Sequence, residues 1–300
     1  MTVTTRHDPS HRTAAGGGLS PAPRRGTLSI LVPAKNEAAS LPRLVEEIVA
    51  AFRPLRDRAS GPHPLEAFEI LVIDDGSTDD SVAVLARLAA GTPELRPIRL
   101  VANAGQSAAT ACGFRAARGD WVAILDADLQ NPPAELARLW DALPGHDAAL
   151  GWRIKREDKW SKRVISRHAN RVRNGVLGGQ PIRDTGCAVR IFPREVALRF
   201  PMFHGAHRFY GPLLDREGCR IVQVPVEHRP RPYGTSNYNI WNRSLNVIVD
   251  LLGVAWLVRR SIRYQAEPVV AAEAAPSPHV PPSATARQGA GASATAPREV

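Results

Sequence analysis

Between residues 27 and 143 a short apolar run ends in a polar cluster and gives way to a helical pattern, four times over. The runs are TLSILVPA (27–34), FEILVIDDGSTDDS (68–81), whose apolar half leads into a turn, PIRLVAN (97–103) and DWVAILDADL (120–129). Their apolar character is continuous rather than alternating, so each strand is expected to be covered on both faces. Strands of that kind interleaved with helices make a mostly parallel sheet with helices on both sides, an α/β fold. Ligands of such sheets bind outside the carboxyl ends of the strands. The clusters PAKNE, DDGSTDD, NAGQS and DADLQ fall at those ends and converge on one edge.

The intervening helices have local signals. Leu41, Leu44, Val45, Ile48 and Phe52 recur at helical spacing behind Ser40, a cap candidate, and Pro42, a first-turn residue. Ser77 and Asp80 have capping-box spacing for a helix carrying Val82, Leu85 and Leu88. Residues 105–119 form a small-residue helix able to pack closely, and another runs from Pro133 to Leu143. No G-x-G-x-x-G follows the first strand and no G-x-x-x-x-G-K-[ST] occurs anywhere, which disfavours a dinucleotide oxidoreductase or a P-loop NTPase.

Residues 1–26 are rich in Thr, Gly, Pro and Arg without an apolar run long enough for a secretory signal. Residues 265–300 are mostly Ala, Pro, Ser and Thr, too poor in large apolar side chains to build a core. Both ends are expected to be disordered, flanking one domain over 27–240 and a helix over 241–264. Cys112, Cys187 and Cys219 lack metal-type spacing; an odd count without a signal fits a reduced, cytoplasmic setting and buried small side chains. The net charge of +10 calls for an anionic partner: nucleic acid, anionic lipid or a phosphorylated substrate. No aromatic stacking platform or nucleic-acid module accompanies it, so nucleic acid is not expected. Much of the charge sits in GWRIKREDKWSKRVISRHANRVR (151–173), where nine Lys or Arg face two acids.

Asp126 and Asp128 flank one residue at the end of a buried run. In an extended segment both side chains leave the same face. Two hard oxygen donors there suit Mg²⁺ or Mn²⁺ shared with substrate phosphates, and equally suit a turn with solvated acids.

Taken in order, VPAKNEAASL, VIDDGSTDDS, NAGQSAA, GDWVAILDADLQNPP, GWRIKR, RDTGCAVRIFPR and HRPRPYGTSNY resemble the family 2 glycosyltransferases with a GT-A fold. More narrowly they are similar to the dolichol- and undecaprenyl-phosphate sugar synthases, over nearly all of 28–258. The resemblance implies a metal-dependent, inverting transfer from a nucleotide-diphosphate sugar, GDP-mannose or a UDP-hexose, to a polyprenyl phosphate. It implies that Pro33 and Glu37 line the nucleotide end, that Asp75 contacts the base, and that Asp126 and Asp128 hold Mg²⁺ or Mn²⁺ on the diphosphate beside Gln130. It implies acceptor-phosphate contacts from Arg153, Lys162 and Ser166, an organising role for Asp184, and Arg231 approaching the phosphates from a loop. Asn237 stands where the family usually has Lys, which loses or moves one phosphate contact.

RSLNVIVDLLGVAWLVRR (243–260) has about 15 apolar-dominated residues broken by Asp250, whereas a span needs about 20. It reads as an amphipathic helix lying on a membrane surface, or as a helix packed on the domain's own core. The chain is thus expected to meet its lipid as a peripheral protein on the cytoplasmic face, or through a separate membrane-anchored subunit. The competing functions are transfer to a saccharide or lipid hydroxyl, a non-catalytic nucleotide-sugar-binding adaptor, and a haloacid-dehalogenase-type phosphatase. Gln130 on the fourth strand argues against the last.

Overall fold

The computed structural model of the chain describes residues 26–58, 60–154, 174–232 and 241–260, with side chains in the last stretch from residue 249 onward. In chain order the elements are β1 (Thr27–Ala34), α1 (Leu41–Arg56), β2 (Ala67–Asp74), α2 (Ser81–Gly91) and β3 (Ile98–Arg99). Next come α3 (Gln106–Ala116), β4 (Trp121–Ile124), α4 (Pro133–Asp141), β5 (Ala148–Arg153) and β6 (Arg190–Pro193). The short α5 (Arg194–Leu198), a 3-10 turn (Ala206–Arg208), α6 (Tyr210–Arg216), β7 (Ile221–Val226) and α7 (Trp241–Arg259) complete the series.

The seven strands form one sheet in the order β3-β2-β1-β4-β6-β5-β7. Every neighbouring pair is parallel except the two that involve β6, which runs against β4 and β5. The expected α/β architecture with a mostly parallel sheet is therefore present.

The reason for the continuous apolar runs is visible in β1. Ile30 and Val32 face the layer built by Leu44, Ile48 and Phe52 of α1 and Leu136 and Trp140 of α4. Leu31, between them, faces the opposite layer with Phe114 of α3 and Leu213 and Leu214 of α6. Period-two alternation persists, but both faces need apolar side chains. Each fully buried Leu, Ile or Phe contributes roughly 1.5–3 kcal/mol, and these two layers hold the strand ends in register.

Several local expectations are corrected. Ser40 precedes α1, but its hydroxyl donates to the Glu37 carbonyl (3.0 Å) and to Glu37 Oε2 (2.9 Å) instead of capping the helix. Ser77 and Asp80 do not close a capping box. Asp79 accepts from the Ser81 N–H (3.0 Å), and the Ser77 hydroxyl accepts from the Asn36 N–H (2.8 Å). Ser77, expected to serve α2 locally, instead joins the β1–α1 loop to the β2–α2 loop, and Asp79 rather than Asp80 holds the start of the helix. β3, at one edge of the sheet, is two residues long, and beyond it Val101 is fully exposed. β4 stops at Ile124, after which the Leu125 N–H still donates to the Leu31 carbonyl (3.0 Å) before the chain turns.

The β2–α2 turn passes so close to residues 102–103 that only glycine fits. Gly76 has φ +64°, and a Cβ there would lie 2.6 Å from the Asn103 nitrogen. Gly76→Ala is expected to cost about 2 kcal/mol, from both the strained φ and the contact. Thermal unfolding followed by circular dichroism should show a fall of roughly 2–4 °C per kcal/mol for a domain of this size.

Candidate active site

The carboxyl ends of β1, β2, β4, β5 and β7 lie along one edge of the sheet, and the reversed strand β6 begins there. Arg190, the first residue of β6, pairs in register with Ile124, two residues before Asp126. The polar residues of five strand ends and one strand start thereby share an edge.

The acidic pair does not lie in an extended strand, contrary to the spacing argument. The chain enters a turn after Ile124, and Leu129, buried at 2 % exposure, adopts φ +61°. A left-handed conformation at a buried aliphatic residue is strained and persists only where surrounding packing imposes it. Its effect is local: the Gln130 N–H turns back to donate to Asp128 Oδ1 (3.1 Å). Asp126 Oδ1 accepts instead from Gln106 Nε2 in the first turn of α3 (3.0 Å).

Asp128, nearly buried, takes its charge compensation from the far end of the chain. Arg231 Nη2 donates to Asp128 Oδ2 (2.9 Å) and lies 3.6 Å from Glu37 Oε1. The segment carrying Arg231 is strapped along the metal-type motif. The Arg229 N–H donates to the Gln130 carbonyl (2.7 Å), the Arg229 guanidinium pairs with Glu47 (3.1 Å), and His228 Nδ1 is 3.4 Å from Asn131 Oδ1. Glu37, Asp128, Gln130 and Arg231, chosen from the sequence, are thus brought together.

The electrostatics of the pair follow from burial and proximity. Desolvation, reinforced by the Asp128 charge, pushes the Asp126 carboxyl up to about 6, against the opposing pull of Arg190, Arg153 and Arg231. Burial likewise raises Glu37, with the Ser40 hydrogen bond and Arg231 acting in the other direction.

Arg153, at the end of β5, makes a bidentate pair with Asp184: Nε to Oδ2 at 2.7 Å and Nη2 to Oδ1 at 3.0 Å. The Gly186 N–H also donates to Asp184 Oδ1 (3.1 Å), and a Cβ on Gly186 would sit 3.0 Å from the Arg153 guanidinium. The glycine of RDTGC is therefore a close-approach position. The Asp75 carboxylate accepts from the backbone N–H groups of Ala104 (2.7 Å) and Gly105 (2.9 Å), fixing the loop ahead of α3. Pro33 is half-buried in β1 opposite Ile73. Lys162, Ser166 and Asn237 lie outside the described residues.

Residues 29–201 match the model of the family described as Glycosyl transferase family 2. The chain belongs to that family. It is 35 % identical over 227 residues to the undecaprenyl-phosphate 4-deoxy-4-formamido-L-arabinose transferase of Sodalis glossinidius, covering 75 % of this chain and 66 % of that relative. The chain thus spans about two thirds of the length of that curated relative. Its fold is shared with glucosyl-3-phosphoglycerate synthase from Mycobacterium tuberculosis in complex with Mn²⁺, UDP-glucose and phosphoglyceric acid (TM-score 0.55, 21 % identity, 78 % of this chain and 80 % of that one). It is equally similar to a mannosyltransferase from Pyrobaculum calidifontis in complex with GDP-Man and Mn²⁺ (TM-score 0.55, 22 % identity, 78 % and 66 % coverage). Both of those solved structures are complexes with Mn²⁺ and a nucleotide sugar.

The donor set in this family 2 chain fits a divalent cation of the same hard class. Among the described residues no group of three or more His, Cys, Asp or Glu could hold a metal by itself. Asp126 and Asp128 are two hard oxygen donors of the kind such an ion would share with substrate phosphates and water. The Asp126 carboxyl is raised chiefly by burial and then by the Asp128 charge, a cost that a cation brought to the pair would relieve.

Three contributors were missed from the sequence. Gln106 holds Asp126, and its only local signal is its place directly after Gly105 in a strand-end cluster. Arg190 is 7 % exposed and donates to the carbonyls of Cys187 (2.9 Å), His207 (2.6 Å) and Thr185 (2.8 Å), with its guanidinium 5.3 Å from the Tyr210 ring. It braces the loop that carries Asp184. Glu47, on α1, looked like an ordinary solvated helix residue and instead anchors Arg229.

The raised Asp126 carboxyl has a consequence for stability. A folded-state value near 6, above the unfolded 3.8, means that ionisation at neutral pH opposes folding, and the penalty fades as pH falls from 6 towards 4. Asp126→Asn keeps the acceptor for Gln106 and removes the charge. At pH 7.5 or so without metal it is expected to stabilise the fold by on the order of 1 kcal/mol, and this gain should vanish near pH 4. Differential scanning calorimetry of both proteins across that range checks it.

Proposed function

We propose that this family 2 chain transfers a hexose from a nucleotide-diphosphate sugar to a polyprenyl phosphate, with inversion at the anomeric carbon. The observation that carries the reading is the intact acid pair, with Arg231 on Asp128 and the fields of Arg190 and Arg153 on Asp126, whose carboxyl is nonetheless pushed up to about 6 by burial and by the Asp128 charge. A degenerate, non-catalytic binder has no reason to keep so unfavourable a cluster. The Sodalis glossinidius relative, whose name specifies undecaprenyl phosphate, supports the acceptor, and the GDP- and UDP-sugar complexes of the shared fold support the donor class. GDP-mannose and UDP-hexoses are the donors to try.

Asp126 and Asp128 would hold Mg²⁺ or Mn²⁺, which when bound neutralises charge developing on the departing nucleoside diphosphate. Gln106 and the Gln130 N–H orient the two carboxylates. Arg231 exchanges its carboxylate partners for diphosphate oxygens, bringing positive charge to the leaving group. Asp75 and Glu37, with Pro33, form the nucleotide end. Arg153, fixed by Asp184, receives the acceptor phosphate together with Lys162 and Ser166. The acceptor oxygen attacks the anomeric carbon as the bond to the nucleotide β-phosphate oxygen breaks. A phosphate monoester is already ionised at neutral pH, its second pKa being about 6, so the protein needs no strong base. Asp184 is accordingly an orienting group, saturated by Arg153 and Gly186. The reaction would take place on the cytoplasmic face of a membrane.

The direct test incubates purified protein with Mn²⁺, undecaprenyl phosphate and labelled GDP- and UDP-sugars and counts label in the organic phase. Label that requires metal is expected, and Asp128→Ala should lower it by at least about a hundredfold while the protein stays folded. Metal-dependent donor binding without lipid-phase label would assign the chain to a hydroxyl acceptor instead. Arg153→Gln is expected to raise KM for the lipid phosphate by about tenfold or more, the loss of a charge-assisted contact, with donor affinity unchanged by titration calorimetry.

A further inference from the structure

Over its described side chains, from residue 249 onward, helix α7 has two apolar faces, and only one is packed on the domain. Val254 and Ala255 are buried against Leu177 and Phe209, with Val176, Phe203 and Leu251 around them. On the other side Val249, Leu252 and Trp256 are 63 %, 61 % and 63 % exposed. At 3.6 residues per turn these three fall within an arc of about 60°. Arg260 follows Trp256 by four residues and Arg259 follows Leu252 by seven, so both exposed arginines continue the same stripe at its carboxyl end. Arg259 also donates to the Val176 carbonyl (3.2 Å), which holds the end of the stripe to the domain.

We propose that this stripe is a docking surface for an anionic lipid bilayer, with Val249, Leu252 and Trp256 entering the headgroup boundary and Arg259 and Arg260 on lipid phosphates. A tryptophan beside aliphatic side chains, followed by cations, is the composition that settles at a membrane interface. Among the described residues no helix is long and apolar enough to cross a membrane, so α7 lies on the surface rather than spanning it. The chain's own tail is a poor cover: residues 265–300 contain no Leu, Ile, Met, Phe or Trp. A second copy is disfavoured by the net charge of +10 that each would bring.

The surface is tied to the site. Asp250 on α7 pairs with Arg208 (3.8 Å) in the 3-10 turn. Just before that turn Gly205 donates its N–H to Ser107 Oγ (3.1 Å), and within it His207 Nδ1 lies 2.9 Å from that hydroxyl. Ser107 neighbours Gln106, which holds Asp126. A bilayer under α7 is therefore one short chain of contacts from the acid pair, where a membrane-borne acceptor would be needed. That purpose rests on the proposed function; the docking itself does not.

The test sediments the full chain with phosphatidylcholine vesicles, with and without phosphatidylglycerol, at low and high salt. Binding to the anionic vesicles that weakens with salt is expected. Leu252→Ser with Trp256→Ser should weaken it by about tenfold or more. Arg259→Gln with Arg260→Gln should cost about fivefold per arginine on anionic vesicles alone. Both variants should keep the wild-type melting temperature and transfer activity towards a short, water-soluble polyprenyl phosphate, so misfolding is told apart from lost docking. The proposal is overturned if the wild type stays in the supernatant, or if the apolar variant sediments equally well. It is also overturned if the wild type is a lipid-free dimer that this variant makes monomeric. Vesicle binding as described, with no transfer to any acceptor, would uphold the docking surface and remove the transferase reading.

Discussion

Two carboxylates one residue apart cannot both stay ionised beside a packed sheet unless positive charge is brought to them. Much of the described edge is arranged around that need. Arg231 comes from more than a hundred residues away to reach Asp128, Gln106 crosses from α3 to Asp126, and Arg190 and Arg153 add their fields from the neighbouring strands. Burial, with the Asp128 charge, still outweighs that compensation, and the Asp126 carboxyl stays raised. Such a cluster is a burden to the fold and an asset to a site whose ligand arrives with a cation.

The topology makes this possible. Parallel strands gather loop residues at one edge, and the single reversed strand contributes a start rather than an end there. Arg190 stands at that start and is buried with three carbonyl partners, two of them in the 184–187 loop, while Asp184 of the same loop holds Arg153. Positioning and electrostatics are supplied by the same residues. The desolvation that makes Asp126 costly also strengthens each interaction a charged ligand would make in this place.

The strands were legible because both faces of the sheet are covered: a run such as TLSILVPA has few other places to go, and β1 occupies its whole length. The acid pair and Arg231 were legible through a resemblance carried by several ordered motifs. What escaped was set by tertiary contact. Asp79 rather than Ser77 and Asp80 serves the start of α2, because Ser77 is taken by Asn36 across the edge. The left-handed turn at Leu129 has no sequence signal, since leucine is a residue that favours neither turns nor positive φ. Arg190 in RDTGCAVRIFPR reads as one more surface cation until β6 is seen to reverse. Glu47 and Arg229 lie far apart in the chain and meet only because β7 delivers its loop onto α1 and the Gln130 turn.

The central claim is that the acid pair is an incomplete cation site finished by a nucleoside diphosphate. Mn²⁺ titration followed by electron paramagnetic resonance, in the presence and absence of GDP or UDP, measures this without any acceptor or turnover. The account predicts weak Mn²⁺ binding to the protein alone, binding at least about tenfold tighter once one of the nucleotides is added, and loss of both in Asp128→Ala. Equal Mn²⁺ affinity with and without either nucleotide, or nucleotide binding indifferent to both the metal and Asp128, would contradict it.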